Sequence, residues 1–256
     1  MRQCLFCSSN ADSVEDAWPR WITNQFRGAR PSELDAERFG IKLPKWRTYQ
    51  PELAVRCVCR ACNNEWMSQL ETDVQPFLQP LLTGKPYVLT SRAQTTIARW
   101  SVKTAMVLEG LDKADRQAYT VREREQMRIR GEIPWRTTVW LAASADAAWF
   151  MSTKNRHMEG RPAQNIAGVS ITMAFAHVAM QVMTMRVPET VGPPTRVTAN
   201  VKRGPWEETT VRAWPESPET QWPPTLGLNG EIGLDFFADR FNTTAVGAEA
   251  IDTMAV

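Results

Sequence analysis

Histidine is scarce in this 256-residue chain: only His157 and His177 occur. His157 lies in the basic stretch Lys154-Asn155-Arg156-His157, which reads as a turn, and His177 between two apolar runs. Neither accompanies a Ser or Cys pattern, so no nucleophilic triad is expected. Cysteine is absent after Cys62, and all five cysteines precede or occupy that position. A disulfide framework would be spread along the chain and would usually have an even count, so a reducing, cytoplasmic setting is expected. There is no glycine-rich phosphate loop, which argues against nucleoside triphosphates and dinucleotides. No apolar run approaches the ~18 residues that suggest a membrane span. Met1–Asn10 lacks a basic start followed by an apolar run, so neither a secretory leader nor a membrane partner is expected. Internal repeats and low-complexity tracts are also missing.

The chain does have enough length and apolar content, 43%, for one large domain or two modest ones. Its formal net charge is only +2, so bulk electrostatics announces no polyanion. The local distribution is more telling. From Trp18 to Arg60 there are nine Arg or Lys against four acids, with Asp12, Glu15 and Asp16 just before and Glu65, Glu71 and Asp73 just after. A basic surface beside an acidic cluster suits metal-dependent chemistry on a phosphate backbone, although a solvated charged loop has the same composition.

The cysteines form two C-x-x-C knuckles, Cys4/Cys7 and Cys59/Cys62, separated by 51 residues. Two such pairs, with cysteine absent elsewhere, read as a tetrahedral four-thiolate zinc site. A closed site of that kind is structural. Cys57 makes only a C-x-C with Cys59, a poorer chelating loop, and reads as a small buried strand residue.

Read in order, the first 83 residues form a strand and elbow, a helix from about Trp18–Pro19, a strand over Leu53–Val58, then the second knuckle and a helix from Asn63. Trp21, Ile22 and Phe26 read as the buried face of the first helix, and Ser32–Phe39 as a short helix. Pro76 and Pro80 should interrupt the later one before Gly84. Residues 84–245 read as an α+β domain. It has a helix at Ser91–Leu111, a capping box at Thr120/Glu123 with a stop at Gly131, and an antiparallel meander from Arg136 onward. Gly230–Phe241 reads as a last strand or helix, and 246–256 as a frayed tail.

The run Cys4-x-x-Cys7, Glu15-Asp16-Ala17-Trp18-Pro19, Cys59-x-x-Cys62-Asn63-Asn64-x-Trp66 and Leu70-Glu71 resembles the zinc-stapled branch of the HNH (ββα-metal) endonucleases over about residues 1–80. In that family the first motif is an acid followed by His, two residues and Pro. An Asn follows the last cysteine, and a metal ligand lies one or two helical turns on. The resemblance implies that Glu15 binds a divalent cation, that Asn63 orients the first-motif loop, and that Glu71 completes the metal site, with Asn64 and Glu65 as alternatives. Asp16 stands where the family has its general-base His. An ordinary carboxylate is a weaker base by two or more pK units. It can still serve when a metal lowers the pKa of the attacking water.

The expectation is therefore an α+β protein: a zinc-stapled HNH-like module at 1–83 and a helix-plus-antiparallel-sheet domain at 84–245 that supplies target choice or homo-oligomer contacts. The implied activity is phosphodiester hydrolysis in nucleic acid, DNA before RNA, with structural Zn²⁺ and catalytic Mg²⁺ or Mn²⁺. Asp16, Glu15, Asn63 and Glu71 form the site, and Arg20, Arg27 and Arg60 contact phosphates. The competing class is a non-catalytic zinc module that binds nucleic acid or a protein.

Overall fold

The fold was taken from a computed structural model, which describes residues 2–16, 18–25, 32–38, 41–42, 46–48, 54–110, 117–144, 149–159, 167–186 and 195–250. Strand β1 (Ser13–Asp16) leads into helix α1 (Arg20–Gln25), followed by short strands β2 (Ser32–Arg38), β3 (Ile41–Lys42) and β4 (Trp46–Thr48), then β5 (Ala54–Val58). β5 pairs antiparallel with β1, Glu15 opposite Val55, and the register shifts between Ser13 and Glu15. An irregularity of this kind re-aims the side chains that follow it. Of the face expected for α1, Ile22 is buried and Trp21 half-buried, while Phe26 lies outside the described residues.

The chain next coils without a break through α2 (Arg60–Cys62), a π turn (Asn63–Met67) and α3 (Ser68–Leu82). Pro76 and Pro80, expected to end the regularity, sit inside α3. Val74, Leu78, Leu81 and Leu82 anchor its buried face, whereas Pro76 is exposed and Pro80 partly so. The missing amide bonds therefore fall toward solvent, where water can satisfy the freed carbonyls.

After β6 (Tyr87–Leu89), Thr90 caps α4 (Ser91–Glu109) by accepting from the Ala93 amide. The capping box of Thr120 and Glu123 opens α5 (Val121–Arg130), which stops at Gly131 in the left-handed region, φ 63°. Strands β7 (Thr137–Ala143), β8 (Trp149–Glu159), β9 (Ala167–Ala176), β10 (Val178–Arg186) and β11 (Thr195–Val201) follow. The chain closes with α6 (Trp206–Thr209), β12 (Thr210–Trp214), β13 (Thr220–Trp222), α7 (Gly230–Ala238) and β14 (Phe241–Ala250).

The architecture is α+β, with antiparallel pairing predominant. The large sheet has the order β12-β7-β10-β9-β8-β2-β3, and β4 also pairs β2. Two features depart from a simple meander. β7 pairs with β10 rather than β8, and the chain leaving β7 passes the β9–β10 turn, where the Ser144 amide donates to the His177 carbonyl at 3.0 Å. Ser32–Arg38, expected as a helix, is a strand running parallel to β8, because an open sheet edge offers seven weakly patterned residues more backbone partners than an isolated helix does. β14 pairs with β11 through Ala250, so 246–250 belong to a strand, for which main-chain bonding needs no side-chain period.

One apolar core runs across position 83. It joins the knuckle residues Cys4 and Phe6, Leu78 of α3, Trp100 of α4 and Phe175 of β9. Trp18 meets Phe175 edge-on at 4.7 Å. α4 packs against α3 on one side and against β7, β10 and β12 on the other, which buries it on both faces. No described helix is long and apolar enough to cross a membrane.

Candidate active site

The two knuckles bring four sulfurs together. The Sγ atoms of Cys4, Cys7, Cys59 and Cys62 all lie within 4.8 Å of one another. Cys7 is 3.6 Å from Cys59 and 3.8 Å from Cys62. A tetrahedron with metal–sulfur bonds of about 2.3 Å has edges of about 3.8 Å, so the cage fits one ion such as zinc. Each knuckle donates a backbone amide to its own first sulfur: Phe6 to Cys4 at 3.5 Å and Cys62 to Cys59 at 3.4 Å. Burial pushes the Cys7 thiol up, but hydrogen bonds with Ser9, Cys59 and Cys4 outweigh it and bring the thiol down to about 7. That favours the thiolate a metal requires at Cys7. Burial raises the Cys4 and Cys62 thiols, so a metal taking all four sulfurs displaces protons from those two. Burial raises Cys57 to about 12; it stays a protonated packing residue on β5.

From Cys62 the helix carries the next group. Asn63 Nδ2 donates to Ser13 Oγ at 2.9 Å and to the Val14 carbonyl at 3.1 Å. It thereby ties the π turn to β1 immediately before Glu15 and Asp16. Arg60, exposed at the start of α2, has its own amide held by Asp12 Oδ1 at 2.8 Å.

Glu15 on β1 and Glu71 on α3 meet through a residue that the sequence pattern did not single out. Lys103 of α4, completely buried, places Nζ 3.2 Å from Glu15 Oε1 and 3.0 Å from Glu71 Oε1. Burial alone would lower the Lys103 pKa, but the charges of Glu15 and Glu71 outweigh it and hold the ammonium. Burial raises the Glu15 pKa, with Lys103 pulling against it and Glu71 and Asp16 adding to it.

Glu15 and Glu71, but not Lys103, line a polar cleft of about 410 Å³ together with Asp16, Arg20, Trp21, Asn63 and others. Asp16 pairs with the largely exposed Arg20, Oδ2 to Nε 3.2 Å. Four of the expected groups, Glu15, Asp16, Asn63 and Glu71, thus share one cleft, and Arg20 lines it too. Arg60 does not line it, Asn64 and Glu65 are exposed, and Arg27 lies outside the described residues. Among the described residues the four cysteines are the one cluster of three or more such ligands close enough to hold a metal. The carboxylates are spaced by Lys103 and Arg20 instead. His177 is half-buried in the β9–β10 turn, with Nδ1 3.5 Å from the Ser144 carbonyl.

Lys103 had one legible signal, as the lone charge in the apolar run Trp100–Leu108. Comparison with protein-family models, curated proteins and solved structures gives no match.

Proposed function

We propose that the protein is a metal-dependent phosphodiesterase acting on nucleic acid, DNA preferred, with zinc held by Cys4, Cys7, Cys59 and Cys62 as a purely structural ion. The observation that carries this reading is the convergence of Glu15, Asp16, Glu71 and Asn63 on one polar cleft at the end of a strand–strand–helix unit stapled by those cysteines. Magnesium is commonly bound by one or two carboxylates together with substrate phosphate oxygens and water. Glu15 and Glu71 match that donor set, since Lys103 engages only Oε1 of each and leaves Oε2 for a further ligand. The three carboxylates against Lys103 and Arg20 leave one net negative charge, which becomes two when Arg20 turns to a phosphate and which a divalent ion then balances. A bound Mg²⁺ or Mn²⁺ supplies charge neutralisation at the phosphate and a more acidic water.

The chain's own residues do the rest. Lys103 keeps the two glutamates in place and limits the negative charge a phosphate meets on entering. Arg20 leaves Asp16 for a phosphate oxygen, an exchange of one exposed ion pair for another with little net cost. Asp16 so released accepts the proton of the attacking water. Asn63 holds the β1 backbone so that Glu15 and Asp16 stay aimed into the cleft. Exposed Arg60 is available to backbone phosphates, and Arg27 is assigned the same role from the sequence.

Plasmid nicking tests the proposal: zinc-loaded protein with Mg²⁺ or Mn²⁺, alongside Glu15→Gln, Asp16→Asn and Glu71→Gln. Nicking by the parent that is lost in the glutamate variants at unchanged zinc content supports it. One observation favours a second reading, a non-catalytic zinc module for nucleic acid or a protein partner: Lys103 already holds one oxygen of each glutamate without a metal. Retained zinc with no nicking by any form selects that reading.

A further inference from the structure

Away from the acidic cleft, another charged group is buried, and unlike Lys103 it has no ionic partner among the described residues. Arg240 follows α7 and is 2% exposed. Its Nε donates to Gln181 Oε1 at 2.6 Å. Gln181 is itself fixed, because its Nε2 donates to Thr172 Oγ1 and to the Phe237 and Ala238 carbonyls. The guanidinium carbon lies 4.5 Å from the Trp140 ring centre, 4.8 Å from Phe237, 4.9 Å from Phe241 and 5.3 Å from Trp206. Aromatic faces offset part of the cost of burying a cation, but they accept no N–H bond in its plane. Arg240 Nη2 has no hydrogen-bond partner, and among the described residues no carboxylate pairs with Arg240. Desolvation lowers its pKa to about 9, which leaves it charged at neutral pH.

Arg240 lines a cavity of about 600 Å³ together with Trp140, Trp206, Thr210, Arg212 and Ser217. Arg212, exposed on β12, is opposite Trp140 in the sheet register. The exposed Glu207 and Glu208 also line the cavity, which disfavours a bare polyanionic strand there and leaves room for a ligand of limited charge. A phosphate suits a donor fork with one unused N–H edge and a second arginine beside it. Arg240 covers one side of each of the half-buried indoles and Phe236 also stacks on Trp206, so they offer a flat heterocycle an apolar edge to pack against rather than a free face.

We propose that this cavity binds a nucleotide, its phosphate taken by Arg240 and Arg212 and its base packed against Trp140 and Trp206, supplied either free or as the phosphorylated end of a strand. The inference stands independently of the nuclease reading, because it uses no residue of the acidic cleft.

The test is a titration of zinc-loaded protein, followed by tryptophan fluorescence and calorimetry, with adenosine 5′-monophosphate, adenosine, inorganic phosphate and a 5′-phosphorylated oligothymidine. The expected result is saturable binding of the monophosphate or the oligonucleotide, at least about tenfold tighter than adenosine or phosphate alone. Whichever of the two binds tighter identifies the source. Arg212→Ala, an exposed change that leaves the core intact, weakens that binding by about fivefold or more, and Arg240→Gln weakens it further if it folds. No saturable binding below about 5 mM, adenosine binding as tightly as its monophosphate, or affinity unchanged in Arg212→Ala would overturn the proposal.

Discussion

Lys103 carries its charge with no exposure to water, and its position depends on two carboxylates from distant parts of the chain. Removing one member of a buried ionic group leaves the others uncompensated, at a cost of about 3–5 kcal/mol. Lys103→Met is therefore expected to lose that much stability at neutral pH, measured by urea unfolding. The pH dependence follows from the raised Glu15 pKa. A carboxyl whose pKa is higher folded than unfolded binds its proton more readily in the native state, so acidification favours folding through that group and rising pH removes the benefit. Without Lys103 the upward displacement grows, and the deficit relative to the parent should be larger at about pH 8 than at about pH 5. An equal deficit at both would mean that Glu15 is not left unpaired. Asn63→Ala removes two bonds to β1 and should cost about 1–2 kcal/mol, with nicking reduced and zinc content unchanged. Glu15, Asn63 and Glu71 could be singled out because each belongs to the run of motifs around the knuckles, and the structure puts all three on one cleft. Lys103 left only one mark, as the lone charge in Trp100–Leu108, and nothing pointed to its partners: its sequence distance from Glu71 is 32, and a helix buried on both faces has no polar stripe to show which charge turns inward.

The helix that runs from Arg60 to Leu82 starts on the four-cysteine cluster, since Cys59 Sγ accepts the Cys62 amide and both thiols belong to it. The π turn then follows, a form frequent at functional sites, and from it Asn63 reaches β1 while Glu71 reaches Lys103. Structural zinc contributes about 10 kcal/mol or more to folding in small modules, comparable to the whole stability of an ordinary domain. Cys62→Ser should therefore lose stoichiometric zinc and melt lower by roughly 10 °C or more. An unchanged melting temperature would remove the metal from the account of this element. The elements easiest to read were those with local chemistry: the knuckles, α4, and the Thr120/Glu123 capping box with its Gly131 stop. β2 and the β7–β10 pairing were not readable, because sheet neighbours are chosen by long-range backbone bonding that leaves little trace in seven or so residues. Pro76 and Pro80 misled for a related reason, since whether a proline breaks a helix depends on which face it occupies.

At the scale of the molecule, one core joins the cysteine knuckles to the sheet. Arg128 of α5 donates to the Phe6 carbonyl at 3.0 Å, and a Cβ added at Gly110 would come within 2.7 Å of the Leu5 side chain. Zinc release, tryptophan fluorescence and far-ultraviolet circular dichroism should accordingly follow a single coincident denaturation curve. A separate, earlier loss of zinc would show that the first 83 residues unfold by themselves. The same packing explains how a residue of α4 comes to pair with the β1 and α3 carboxylates that line the cleft. The cleft's capacity for a cation is what distinguishes an enzyme from a binding module. A Mn²⁺ titration followed by electron paramagnetic resonance, with zinc-loaded protein and a short DNA duplex present, addresses it directly. The expected outcome is one saturable Mn²⁺ per chain, weakened at least about tenfold in Glu71→Gln while zinc stays bound. Failure of the parent to bind Mn²⁺ saturably, or identical binding by Glu71→Gln, would contradict it.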